Sequence, residues 1–187
     1  DVFIYGDIER ISPEAPVPVF KPTHEESNGG MAKNVAENVE ALDMHIHTVT
    51  NKNTITKIRY VENRSGQMVL RVDEHDYCER IDKGLLEGLK KNKFKRPPFG
   101  FDSQKEDHYD AIIISDYCKG FLEEEDIQHI CENNENVFID TKKKLGEWIK
   151  DVDFIKINEL EYKKNHELLL DKGFKEKLII TLGSKGC

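Results

Sequence analysis

The apolar positions of this chain change their period near its middle. Up to about residue 75 they fall in short alternating runs. Residues 2–5 (Val-Phe-Ile-Tyr) and 17–20 (Val-Pro-Val-Phe) read as strands. Pro13, Pro16 and Pro18 make the second an edge strand or an extended cover, because proline cannot donate to a central ladder. Residues 56–61 and 67–73 alternate about a turn at Asn63-Arg-Ser-Gly66, the pattern of a hairpin with one polar face. Between these runs Gly29-Gly30 opens a stretch in which Val35, Val39 and Leu42 recur at helical spacing. His45 and His47 alternate in a further predicted strand. Ile81, Leu85 and Leu89 predict a second helix over 79–91, followed by a loop over 92–108.

From residue 109 short β-rich runs follow at 111–114, 137–139, 154–157 and 178–182, three of the four almost wholly apolar. Segments with helical spacing separate them, carrying Ile127, Ile130 and Cys131, then Leu145, Trp148 and Ile149, then Leu160, Leu168 and Leu169. Strands alternating with helices mean βαβ units and a parallel sheet, and apolar runs of this kind predict strands buried on both faces. The fold class is α/β.

Each apolar run ends in polar residues. The four ends are Ser115-Asp116, Asp140-Thr141-Lys142, Asn158-Glu159-Leu160-Glu161 and Gly183-Ser184-Lys185-Gly186. Open α/β sheets bind ligands beyond the carboxyl ends of their strands, so these clusters share one rim. Carboxylates, an amide, lysines and a Gly-rich turn suit a magnesium–phosphate ligand, because hard oxygens take the cation while lysines and backbone N–H groups take the phosphate. The competing reading of each cluster is helix capping, for which Asp, Ser and Asn are ordinary residues. Gly29-Gly30 is open in the same way, between a close approach of ligand to backbone and a plain helix start. A GxxxxGK[ST] phosphate loop is absent.

Composition narrows the classes. A chain of 187 residues is about one domain. Its 28 basic and 36 acidic side chains give a net charge of −8, which excludes a generic basic nucleic-acid surface. No apolar run approaches the roughly 18 residues of a membrane span, and the start, Asp-Val-Phe-Ile-Tyr, lacks the layout of a signal peptide. The four cysteines have no CxxC spacing, so a reduced, cytoplasmic protein without disulfides or zinc is expected. The histidines are too scattered for a metal site, and Cys118 reads as an inert thiol.

The segment Gly6-Asp-Ile-Glu-Arg-Ile-Ser-Pro-Glu-Ala-Pro-Val-Pro-Val19 resembles the start of the D-glycero-D-manno-heptose 7-phosphate kinases, a branch of the ribokinase-like (PfkB) carbohydrate kinases. Later motifs follow in that family's order: Gly29-Gly30 with Asn34, the hairpin at 54–61 with Leu70-Arg-Val-Asp73, Ser115-Asp-Tyr-Cys-Lys-Gly120, Asp140-Thr-Lys142, the N-x-x-E pair Asn158 and Glu161, and Thr181-Leu-Gly-Ser-Lys-Gly186. The resemblance implies one ribokinase-like kinase domain over 1–187, a mainly parallel sheet flanked by helices, with β lid elements within about 8–24 and 54–75. It implies ATP and Mg²⁺ as cofactors and a sugar phosphate as substrate, the product entering ADP-heptose and lipopolysaccharide precursor synthesis. Substrate contacts fall on Asp1, Gly29, Gly30, Asn34, Asp116 and Lys142. Nucleotide contacts fall on Asn158, Glu161, Thr181, Gly183 and Gly186, with Asn158 and Glu161 holding Mg²⁺ through water. The lid implies a homodimer, with no nucleic-acid or membrane partner. Two departures stand out: the usual Asp-Pro-Lys is Asp-Thr-Lys, and the stretch between Leu42 and Thr54 is short. The family's first strand would precede Asp1 and its catalytic Asp would follow Cys187, so no residue here is assigned as the base. A ribokinase-like kinase for another sugar, and a non-catalytic sugar- or nucleotide-binding module, are the rival expectations.

Overall fold

The computed structural model describes residues 1–90, 109–171 and 174–187, in two compact units, Asp1–Cys78 and Glu79–Cys187. The loop expected over 92–108 lies outside the described residues.

The first unit is a four-stranded sheet of order β2-β1-β3-β4, with β1 (Val2–Ile11), β2 (Pro18–Ser27), β3 (Thr56–Glu62) and β4 (Met68–Glu74). β2 is an edge strand, as its prolines require. β1 pairs antiparallel with β2 and parallel with β3, Val2 lying opposite Ile58. The ladder of β1 on β2 shifts register between Tyr5 and Gly6. A Cβ at Gly6 would come within 2.5 Å of the Lys21 carbonyl and the Phe20 ring, so only glycine lets the edge strand lie this close. β3 and β4 form the expected hairpin, with Tyr60 opposite Leu70. Helix α1 (Gly30–Glu40) begins where Gly29-Gly30 predicted, but it stops before Leu42. Asp43 turns left-handed at φ 58° and ends it, leaving Leu42 66% exposed. The strand expected at His45 and His47 does not form: residues 44–55 find no strand to pair with, and alternation without a partner ladder carries no structure.

In the second unit β5 (Ile112–Asp116), β6 (Val137–Thr141), β7 (Phe154–Asn158) and β8 (Leu178–Thr181) make a parallel sheet in sequential order. Ile114, Ile139, Ile155 and Ile157 are buried in a core shared with Ile127, Ile130 and Cys131 of α3 (Glu124–Asn133) and Leu169 of α4 (Glu159–Asp171). The other face corrects the expectation of double burial. Ile113 is 53% exposed and Ile179 38%, and Phe138 stacks on Phe154 at 4.5 Å, so these bulky side chains cover one another. The helix predicted over 79–91 shrinks to α2 (Lys83–Gly88), because the Asp82 carboxylate accepts the N–H groups of Gly84 and Leu85 and fixes the start beyond Ile81.

Candidate functional site

The C-terminal ends of β5, β6 and β7 carry a connected set of polar groups. Asp116, at the end of β5, has a nearly buried carboxylate, 4% exposed. One of its oxygens accepts the Cys118 N–H at 3.0 Å; the other accepts the Thr141 hydroxyl at 2.8 Å and faces the Lys143 ammonium at 3.7 Å. The Asp116 carbonyl accepts the Lys142 N–H at 3.1 Å, and the Thr141 oxygen accepts the Lys143 N–H at 3.0 Å. Both oxygens of Asp116, one of the expected substrate contacts, tie the turns after β5 and β6 together. The Lys142 side chain reaches across to α4, where its Nζ stands 2.6 Å from Glu161 Oε1. Lys156, on β7, pairs with Asp140, its register partner on β6.

The N-x-x-E pair is a reciprocal cap. Glu161 Oε2 accepts the Asn158 N–H at 2.9 Å, and Asn158 Oδ1 accepts the Glu161 N–H at the same distance. The capping reading offered by sequence is thus realised, and it leaves Oε1 turned away from the helix end. Burial pushes the Glu161 carboxyl up, but the Asn158 N–H and the Lys142 ammonium outweigh it and hold its pKa below the ordinary carboxylate value. The same contact with Glu161 raises the pKa of Lys142. Among the described residues no three His, Cys, Asp or Glu side chains gather as a metal cage. Mg²⁺ needs no such cage, since it keeps several waters and takes one or two carboxylates with phosphate oxygens. Glu161, with a hard oxygen outside the cap and beside a cation that can meet phosphate, fits that demand.

After β8, the Thr181 hydroxyl donates to the Ile157 carbonyl across the sheet at 3.4 Å. The turn beyond closes through the Leu182 N–H on the Gly186 carbonyl at 2.7 Å. Gly183 and Gly186 sit at φ 62° and 89°, a region glycine enters freely, and a Cβ on either would meet nothing within 4 Å. The backbone conformation accounts for both glycines.

In the first unit, two of the expected sugar contacts lie together. Gly30, at φ 68°, comes within contact distance of Asp1, its built Cβ standing 3.4 Å from the Asp1 nitrogen. Asp1 and Asn28 exchange main-chain hydrogen bonds at 3.0 and 3.1 Å. Gly29 caps α1 without a side-chain bond, and Asn34 lies exposed within the helix. Arg59 was not singled out by sequence, yet its guanidinium stands 3.3 Å from the Asp1 carboxylate and 5.1 Å over the Phe3 ring. Lys143 and Lys156 were given no role either, and Thr141 was named only as part of the rim cluster Asp140-Thr141-Lys142. The available signal was a charge interrupting an apolar strand: Lys156 among Phe154, Ile155 and Ile157, and Arg59 between Ile58 and Tyr60.

No family model matches the sequence. The chain is 31% identical over 210 residues to the bifunctional protein HldE of Vibrio cholerae, covering 93% of this chain and 41% of that protein. It is 29% identical over 229 residues to the bifunctional protein HldE of Photobacterium profundum, covering 100% and 45%. Along nearly its whole length the chain is thus similar to these bifunctional HldE proteins. It spans less than half the length of these curated relatives. A carbohydrate kinase from Agrobacterium tumefaciens aligns over 88% of this chain and 60% of its own, with TM-score 0.43 and 13% identity. The nucleoside kinase of Methanocaldococcus jannaschii, an archaeal ribokinase-family member, aligns over 99% and 68%, with TM-score 0.47 and 14% identity. Likenesses that loose add nothing to the strand order already described. Thr141, which departs from the Asp-Pro-Lys that the sequence resemblance led one to expect, has a hydroxyl that links Asp116 to the Lys143 backbone.

Proposed function

We propose that the protein is an ATP- and Mg²⁺-dependent sugar kinase of the cytoplasm, transferring the γ-phosphoryl group to a hydroxyl of a sugar phosphate, D-glycero-D-manno-heptose 7-phosphate, on the way to ADP-heptose. The observation that carries this reading is the cluster of Asn158, Glu161 and Lys142 at the carboxyl rim of a parallel sheet, with Glu161 Oε1 and the Lys142 ammonium 2.6 Å apart. Phosphoryl transfer asks a protein mainly for positioning and charge neutralisation. Mg²⁺, when bound, supplies neutralisation of the transferring group. Glu161 would hold that ion through water, Lys142 would meet a phosphate group, and the backbone at Thr181, Gly183 and Gly186 would border the nucleotide. Asp1, held by Arg59 beside Gly30, would accept hydrogen bonds from sugar hydroxyls, with Gly29 and Asn34 flanking it.

The test is a coupled ADP-release screen of the full-length protein over heptose and hexose phosphates and their unphosphorylated sugars. Release led by heptose 7-phosphate and dependent on Mg²⁺ is the expected result. Release led by a hexose phosphate would replace the substrate and keep the kinase. No release with any sugar would leave a binding module and overturn the reading.

A further inference from the structure

Glu161 has two oxygens with different duties. Oε2 is engaged in the cap, accepting the Asn158 N–H at 2.9 Å. Oε1 is the oxygen left for a hydrated cation, and Lys142 Nζ occupies it at 2.6 Å. A divalent ion approaching Oε1 therefore meets an ammonium already in place. The lysine backbone has little freedom to withdraw, since its N–H is bonded to the Asp116 carbonyl and its neighbours Thr141 and Lys143 both engage the buried Asp116 carboxylate. Its side chain is different. It is 44% exposed, against 20% for Glu161, and it ends in a compact point charge on a flexible stem that can swing to another anion.

We propose that Lys142 is a latch on Glu161 which a phosphate-type anion releases, so that anion and divalent cation bind this rim cooperatively. The inference rests on the reading of Glu161 as the metal-organising carboxylate. Without an anion, Lys142 and the cation compete for Oε1 and the metal binds weakly. A phosphate group draws Lys142 away, and Glu161 becomes available. Linkage makes the effect reciprocal: the cation, by displacing Lys142, raises affinity for the anion by the same factor. The rim contains its own control. Lys156 and Asp140 form a second lysine–carboxylate pair on neighbouring strands; Lys156 adds its charge to the field at Glu161 without bonding it, so it separates a general charge effect from occupation of Oε1.

The experiment measures Mn²⁺ binding to the full chain from the electron paramagnetic resonance signal of the free ion, with and without saturating inorganic phosphate. Wild type is compared with Lys142→Met, Lys142→Arg, Lys156→Met and Glu161→Gln, each checked for native folding by circular dichroism. Lys142→Met should tighten Mn²⁺ in the absence of phosphate by about 5–10-fold, and the gain from adding phosphate should shrink by a similar factor. Lys142→Arg should restore wild-type behaviour, and Lys156→Met should move Mn²⁺ affinity by less than about twofold, the scale of a screened exposed charge. A Lys142→Met protein that binds Mn²⁺ no better than wild type overturns the latch, as does a gain equalled by Lys156→Met. Glu161→Gln separates the two levels: if it binds Mn²⁺ as wild type does, the metal reading itself has failed; if it alone loses the ion while Lys142→Met changes nothing, only the latch has.

Discussion

At the scale of single residues, burial decides what the polar groups can do. Asp116 anchors the rim because its carboxylate is almost wholly removed from water and every oxygen has a partner. Asp116→Asn keeps the shape but loses the charge shared by the Thr141 hydroxyl and the Lys143 ammonium. It should cost about 1–3 kcal/mol, read as a lower urea midpoint at unchanged slope; a loss below about 0.5 kcal/mol, the level of an ordinary surface change, would show that the rim turns hold themselves. The four cysteines differ in the same terms. Burial, reinforced by the Asp151 and Asp153 carboxylates, pushes the Cys131 thiol up to about 12. Burial and the Asp116 carboxylate also raise Cys118, in keeping with its reading as an inert thiol. Iodoacetamide at neutral pH should therefore modify exposed Cys187 first and Cys118 more slowly, and should reach buried Cys78 and Cys131 only on unfolding. Peptide mass mapping checks this order, and early labelling of Cys131 would contradict it.

At the scale of elements, α3 is fixed at its start by an ion pair with the segment before α2. Arg80 donates twice to Asp126, at 2.8 Å for each bond, and Asp126 also accepts the Glu123 N–H at 2.9 Å in a capping box. Burial pushes the Asp126 carboxyl up, yet Arg80 and Glu123 together leave its pKa below the usual value. A depressed carboxylate pKa stabilises the fold above the unfolded value, near 4, and that contribution fades as pH falls through the folded one. Arg80→Met should thus lower stability at pH 7, by an amount reduced by solvent screening because Arg80 is half exposed. The gap from wild type should close between about pH 4 and lower pH, measured by urea unfolding across that range. A gap unchanged at pH 3 would place the effect elsewhere.

The elements also show what could be read from sequence. The four parallel strands were legible because Ile112–Ile114, Val137–Ile139, Phe154–Ile157 and Leu178–Ile180 have no polar stretch to mistake. Residues 21–27 of β2 (Lys-Pro-Thr-His-Glu-Glu-Ser) were not, since they are exposed and owe their strand to pairing with β1, through main-chain bonds and the contacts of Lys21, Thr23 and His24. Leu42 and Ile81 were over-read as helical, because spacing cannot see the left-handed Asp43 or the Asp82 cap that set the real boundaries. The rim clusters were legible as a group, since strand ends in a parallel sheet must share an edge. Their wiring was not: Lys142 was assigned to the sugar and Glu161 to the metal, and only the fold brings them into contact.

At the scale of the whole molecule, the hairpin of β3 and β4 leaves Met68 50% and Leu70 54% exposed in a row with half-buried Tyr60 and Val72. A second copy of the chain is the expected cover. The full-length protein should sediment as a dimer at micromolar concentration, and Leu70→Lys should shift it toward monomer; a monomer at tens of micromolar would rule the hairpin out as a contact. Among the described residues no helix is long and apolar enough to cross a membrane.

The order β2-β1-β3-β4 also governs the tempo of assembly. β1 can close its hairpin with β2 as soon as both leave the ribosome, but its parallel neighbour β3 lies far along the chain, Val2 waiting for Ile58. From the end of β2 at Ser27 to Ile58, at 5–20 residues per second, the interval is roughly 2–6 s. For those seconds the first hairpin presents an unpaired inner edge, on which any extended strand nearby, including that of a sister chain, can settle first.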